Sequence, residues 1–118
     1  MNNSIDNLIN SVKTFCEARD WDQFHGPKDL AIGVITEASE LLEIFRFLSD
    51  KQAQDVFNDQ HSKGDIEDEV ADVLFFLLRF CQRFSIDPAQ VLIRKINKLE
   101  QKYPVDKAKG SNKKYSEL

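Results

Sequence analysis

The chain has 118 residues, and 16 basic against 20 acidic side chains give a net charge of −4. That length suits one domain over residues 1–118; four Gly and three Pro exclude a collagenous or low-complexity chain, and 42% hydrophobic content with nine Phe supplies a core. No apolar run reaches the roughly eighteen residues of a membrane span, and the opening MNNSIDN does not read as a signal peptide, so a cytoplasmic protein with no membrane partner is expected.

From about Ser4 to Arg19, the residues Ile5, Leu8, Ile9, Val12, Phe15 and Cys16 repeat at helical spacing and predict a first helix with one buried stripe. The stretch Asp20 to Pro27 has no periodicity and ends in a Gly-Pro breaker, so an ordered loop follows. A second helix is predicted from about Lys28 to Leu48, on the seam Val34, Ala38, Leu41, Phe45 and Leu48. Ser49 to Gly64 is polar, with at most one helical turn around Gln52 to Phe57 and Gly64 at its end. A third helix is predicted from Asp65 to Phe84, on the seam Ile66, Val70, Val73, Leu77, Phe80 and Phe84. The fourth starts after the N-cap Asp87 and Pro88, runs through Val91, Leu92, Ile96 and Leu99, and stops at Tyr103-Pro104. Residues from about 104 to 118 read as a basic tail. No strand pattern occurs, so the class is all-α, a four-helix bundle. The third helix is apolar almost all round from Val73 to Leu78 and needs cover on several sides, so a homo-oligomer, dimer or tetramer, is expected to complete the bundle. Cys16 and Cys81 sit among apolar residues at helical spacing and read as buried thiols.

Charge is unevenly spread, with 8 basic and 17 acidic groups in residues 1–93 but 8 basic and 2 acidic in residues 94–114. The acidic body argues against duplex nucleic acid, which needs a broad cationic surface. A small phosphorylated ligand suits both halves. Lysines at 95, 98 and 102 are equally accounted for by a helix C-terminus, and Lys107 to Lys114 by a solvated tail.

The second helix carries Glu37 and Glu40, and the third carries Glu69 and Asp72. At 100° per residue, Glu37 and Glu69 lie about 60° from their seams, and Glu40 and Asp72 about 120°, in the same rotational sense. If the helices pack antiparallel, equal-handed offsets fall on one side of the interface, so all four carboxylates would line one groove. Three-residue spacing puts like charges roughly 5 to 6 Å apart at Cβ. A hard cation, Mg²⁺ or Mn²⁺, would neutralise them while sharing substrate phosphate oxygens. Zn²⁺ suits the groove less, with no His or Cys at ligand spacing. Asp65, Glu67 and Asp68 are accounted for as first-turn partners of the helix dipole, and Glu43 as a solvated side chain.

Together, the run Arg19-Asp20-Trp21-Asp22-Gln23-Phe24-His25, then Pro27-Lys28-Asp29-Leu30, the two acidic pairs, and the ending KYPV through KGSNKKY resemble the MazG-like all-α nucleoside triphosphate pyrophosphatases. Within that family the sequence looks most like the dCTP pyrophosphatase branch. The resemblance implies an oligomeric helical fold and a Mg²⁺ site at Glu37, Glu40, Glu69 and Asp72, which would hold the metal-activated water of catalysis. It further implies hydrolysis of a (deoxy)nucleoside triphosphate to monophosphate and pyrophosphate, as in nucleotide-pool housecleaning. By the same resemblance Trp21, Phe47 and Phe76 enclose the base with His25 nearby, and Lys95, Lys98, Lys102 and Tyr103 face the phosphates, with Lys113, Lys114 and Tyr115 as further candidates. The chain departs from the family where Phe47 replaces a frequent Trp, Phe76 a frequent Tyr, and Leu99 a frequent Asn. A non-catalytic helical interaction module and a phosphohydrolase of a different phosphate bond are the alternatives, separated by metal-dependent stabilisation and by product.

Overall fold

The computed structural model describes residues 4–118. Helix α1 (Ile5–Glu17) starts at the N-cap Ser4, whose hydroxyl accepts from the Asn7 backbone N–H at 3.2 Å. It ends in a six-residue closure in which Trp21 N–H reaches back to the Cys16 carbonyl at 3.1 Å. Closing that turn needs a left-handed residue, supplied here by Asp20 at φ 56°. Trp21 is thereby set edge-on against Phe15, ring centroids 5.6 Å apart. A short 3-10 turn, Asp22–Phe24, leads to α2 (Pro27–Phe45), with Gly26 as N-cap and Pro27 in the first turn.

Helix α3 (Asp50–Asp55) opens with a capping box between Ser49 and Gln52 and continues into a 3-10 turn, Val56–Asn58. Phe57 from that turn stacks on Phe45, 5.9 Å between centroids, which covers the end of α2. Helix α4 (Gln60–Arg83) is capped by Asp59, whose carboxylate accepts from Ser62 N–H at 2.9 Å. Its far end repeats the closure of α1, with Ile86 N–H to the Cys81 carbonyl at 2.9 Å and Ser85 left-handed at φ 54°. Both α1 and α2 pack on α4, the central element of this unit. Cys16, Leu30, Ile66, Leu78 and Cys81 form the buried apolar set, so both thiols are core residues as expected.

The chain divides at Ile86 and Asp87 into two compact units. In the second, Asp87 caps α5 (Pro88–Lys102) by accepting from Gln90 N–H at 3.1 Å. Tyr103 closes α5, and α6 (Val105–Ala108) follows. No strand occurs among the described residues, and no described helix is long and apolar enough to cross a membrane.

Two sequence expectations need correction, and the basic tail shows local order that the sequence did not announce. Helix α4 begins five residues before the expected Asp65, because Asp59 is the cap and Gly64 lies inside the helix. Asp65, Glu67 and Asp68 therefore sit beyond the first turn, where the helix dipole has little hold on them. Helix α2 stops at Phe45, short of Leu48, because Ser49 caps α3. The tail is also ordered: Tyr115 lies edge-on to Tyr103 at 6.0 Å, and the Lys102 ammonium sits over its ring at 4.8 Å.

Candidate metal centre and nucleotide site

Helices α2 and α4 run antiparallel in a register readable from three contacts. A Cβ at Gly33 would meet the Phe76 ring; Glu37 and Asp72 lie one turn away, on in α2 and back in α4, and Glu40 and Glu69 one turn beyond those, where the four acids converge. Each of the four offers a carboxylate oxygen, and these oxygens all lie within 4.8 Å of one another. The small residue at 33 allows the close approach.

The convergence has an electrostatic consequence. Glu37 Oε2 and Glu69 Oε2 are buried with no hydrogen-bond partner. A hydrogen bond with Glu40, then desolvation, pushes the Glu37 carboxyl up to about 7. Desolvation and then the Glu40 charge raise Glu69. Among the described residues no lysine or arginine pairs with any of the four acids; Arg46 instead pairs with Glu43 at 3.1 Å. Four carboxyls with two orphaned oxygens and no counter-ion are costly when ionised, unless a cation joins them. Octahedral Mg²⁺ needs oxygens about 3 Å apart for neighbouring ligands and about 4.2 Å for opposite ones. A spread of 4.8 Å requires only a small contraction to reach this. The cluster holds no His or Cys, so its donor set fits a hard cation.

The aromatic candidates fall in different settings. Phe47 is 83% exposed, with the Arg46 guanidinium over its ring at 4.9 Å. Phe76 is committed to Gly33 and stands edge-on to Phe75 at 5.6 Å. Trp21 is half-buried between Phe15 and His25, the latter 5.9 Å away edge-on. Between α1 and α4, Leu8, Ser11, Val12, Ala71, Leu74, Phe75 and Leu78 line an apolar hollow of about 200 Å³, next to Asp72 in sequence. Lys95, Lys98 and Lys102 share one exposed face of α5, and Tyr103 caps it, all within the second unit.

One residue escaped the sequence reading altogether. Arg79 is fully buried. Its Nε–H donates to His25 Nδ1 at 2.8 Å, and its terminal nitrogens donate to Asp22 Oδ1 and Gln82 Oε1. The signal available was an arginine inside the apolar face of α4, four residues before Arg83.

Residues 32–118 match the model of the MazG-like family. The chain is 34% identical over 104 residues to dCTP pyrophosphatase 1 of Mus musculus, and 30% identical to the Homo sapiens protein of the same name. Those matches cover 88% of this chain and 61% of each relative, so the chain spans about three fifths of the length of the curated relatives it matches. Among solved structures, a pyrophosphatase from Archaeoglobus fulgidus superposes with a TM-score of 0.81 at 36% identity, covering 88% of this chain and 95% of that one. The chain belongs to the MazG-like family.

Proposed function

We propose that the chain is a Mg²⁺-dependent nucleoside triphosphate pyrophosphohydrolase, converting a (d)NTP and water to (d)NMP and pyrophosphate, with dCTP-like substrates favoured. The observation that carries this reading is the convergence of Glu37, Glu40, Glu69 and Asp72 with two buried oxygens left unpartnered. Its similarity to proteins named dCTP pyrophosphatase and to a structure titled a pyrophosphatase supports the reaction class.

Bound in the groove, Mg²⁺, or Mn²⁺ in its place, would supply an activated water and offset charge on the phosphates. The protein's own part is to hold the four carboxyls on two rigid helices, so that their positions are set before substrate arrives. Trp21, Phe47 and Phe76 are the base-facing candidates, with His25 nearby. Lys95, Lys98, Lys102 and Tyr103 are assigned to the phosphates by the resemblance and by their shared face of α5. A homo-oligomer is supported by Ile35, Leu42, Val70 and Leu77, each about half exposed or more on helices otherwise buried against one another. A cytoplasmic location, beside a free nucleotide pool, is part of the same proposal.

Substituting Glu40 or Asp72, both exposed at the rim, by Ala tests the reading. Each variant is expected to keep its helicity and lose turnover; turnover retained in either would remove the metal assignment.

A further inference from the structure

A buried arginine is expensive unless its donors are paired, and a leucine or methionine at position 79 would fill the same space at less cost. What Arg79 does there is specific. It reaches 54 and 57 residues back along the chain to His25 and Asp22, two polar groups of the loop after α1. Guanidinium N–H groups only donate, so His25 Nδ1 must be an unprotonated acceptor and the ring proton must sit on Nε2. Arg83 Nε–H reaches the His25 carbonyl at 3.4 Å, which holds the backbone as well.

We infer that Arg79 is a positioning residue acting through His25: it locks the imidazole as the neutral Nε2–H tautomer, so that His25 offers a hydrogen-bond donor, not a general base, to an acceptor atom of the nucleotide. This rests on the loop facing the nucleotide, as proposed above. The surrounding charges agree with it. Burial first, then Arg79 and Arg83, lower the His25 pKa, while Asp22 and Asp29 oppose the shift. A protonated ring would set Nδ1–H against Arg79 Nε–H, donor against donor. Asp22 is already engaged by Arg79 and lies 3.7 Å from Arg83.

Long-range ¹H–¹⁵N spectra of the His25 ring, with dCTP kinetics on the same samples, test the inference. In the unsubstituted protein Nδ1 is expected at the unprotonated position and Nε2 protonated, with this state persisting to lower pH than in a free imidazole. Arg79→Met is expected to bring mixed tautomers, a His25 pKa raised above that of the unsubstituted protein, and a KM about tenfold higher with kcat within about twofold. Should Arg79→Met fail to fold, His25→Gln and His25→Ala replace it: Gln keeps an N–H donor and should restore most of the KM that Ala loses. A wild-type His25 that carries its proton on Nδ1, or titrates near 6.5, overturns the inference. So does Arg79→Met, or the His25 pair, leaving KM unchanged. An unsubstituted protein that hydrolyses no nucleotide overturns the proposed function and the nucleotide contact with it, whereas the ring spectra decide the tautomer without any turnover.

Discussion

Gly33→Ala probes the link between helix packing and the carboxylate cluster. In an unconstrained helix, Ala in place of Gly stabilises by about 1 kcal/mol. Here the added Cβ would stand 2.4, 2.6 and 2.8 Å from Cδ1, Cε1 and Cγ of Phe76, where ordinary contact begins near 3.4 Å. Turning the ring about its own axis leaves Cγ in place, so the clash cannot be cleared by ring rotation alone. The helices must separate by something approaching 1 Å, or Phe76 must leave its rotamer, at an overpacking cost of about 1–3 kcal/mol. The net loss is then up to about 2 kcal/mol, a fall in Tm of up to about 8 °C for a chain of this size. Separation is felt one turn away at Glu37 and Asp72, and Mg²⁺ tolerates little departure from octahedral geometry. The Mg²⁺ concentration for half-maximal turnover should therefore rise about tenfold, while substrate KM at saturating metal changes less. Thermal denaturation and a Mg²⁺ titration of dCTP hydrolysis check both. A Tm that rises by the bare helix-propensity gain, with an unchanged metal requirement, would refute the packing argument.

Three further outcomes follow from other sites. The raised Glu37 carboxyl favours the protonated native state, so its contribution to metal-free stability is complete below its ordinary value of 4.5 and is lost as pH rises through about 7. A bound divalent cation displaces that proton, so the Tm gain from Mg²⁺ should grow between pH 5 and 8 in calorimetry; a gain independent of pH and matched by ionic strength alone would count against the site. Phe47, with most of its surface in solvent, should be replaceable by Ala within about 0.5 kcal/mol of stability, yet with a KM raised several-fold in initial-rate assays. Ser85 pays left-handed strain at the end of α4, so Ser85→Gly should stabilise by about 1 kcal/mol in urea unfolding, and a destabilised variant would contradict the closure described.

Local pattern and long-range contact were not equally legible in the sequence. The seams through Leu41 and Phe45, and through Ile66 and Phe80, marked α2 and α4 as helices by their period, but the stripe they predicted is not buried throughout: Val70 and Leu77 are about half exposed. Equal offsets of two acidic pairs then put four carboxyls in one groove, since antiparallel packing converts equal handedness into one side. The start of α4 was hidden because Gly64 reads as a breaker, whereas a single glycine inside a helix costs only about 1 kcal/mol and the Asp59 cap sets the start. Arg79 was hidden for a different reason: its partners Asp22 and His25 are far along the chain and share no spacing with it. The same holds for Gly33 and Phe76, an approach that no pattern in either helix announces. Ordering of the tail rests on Tyr115 meeting Tyr103, a contact between aromatic residues set in a lysine-rich stretch.

The most direct test of the central claim is incubation of the folded protein with each dNTP and NTP, with and without Mg²⁺, and separation of the products by chromatography. Monophosphate and pyrophosphate in equal amounts, formed only with metal and fastest from dCTP, is the expected result. Release of single orthophosphates, or no turnover of any nucleotide with Mg²⁺ or Mn²⁺ present, would contradict it.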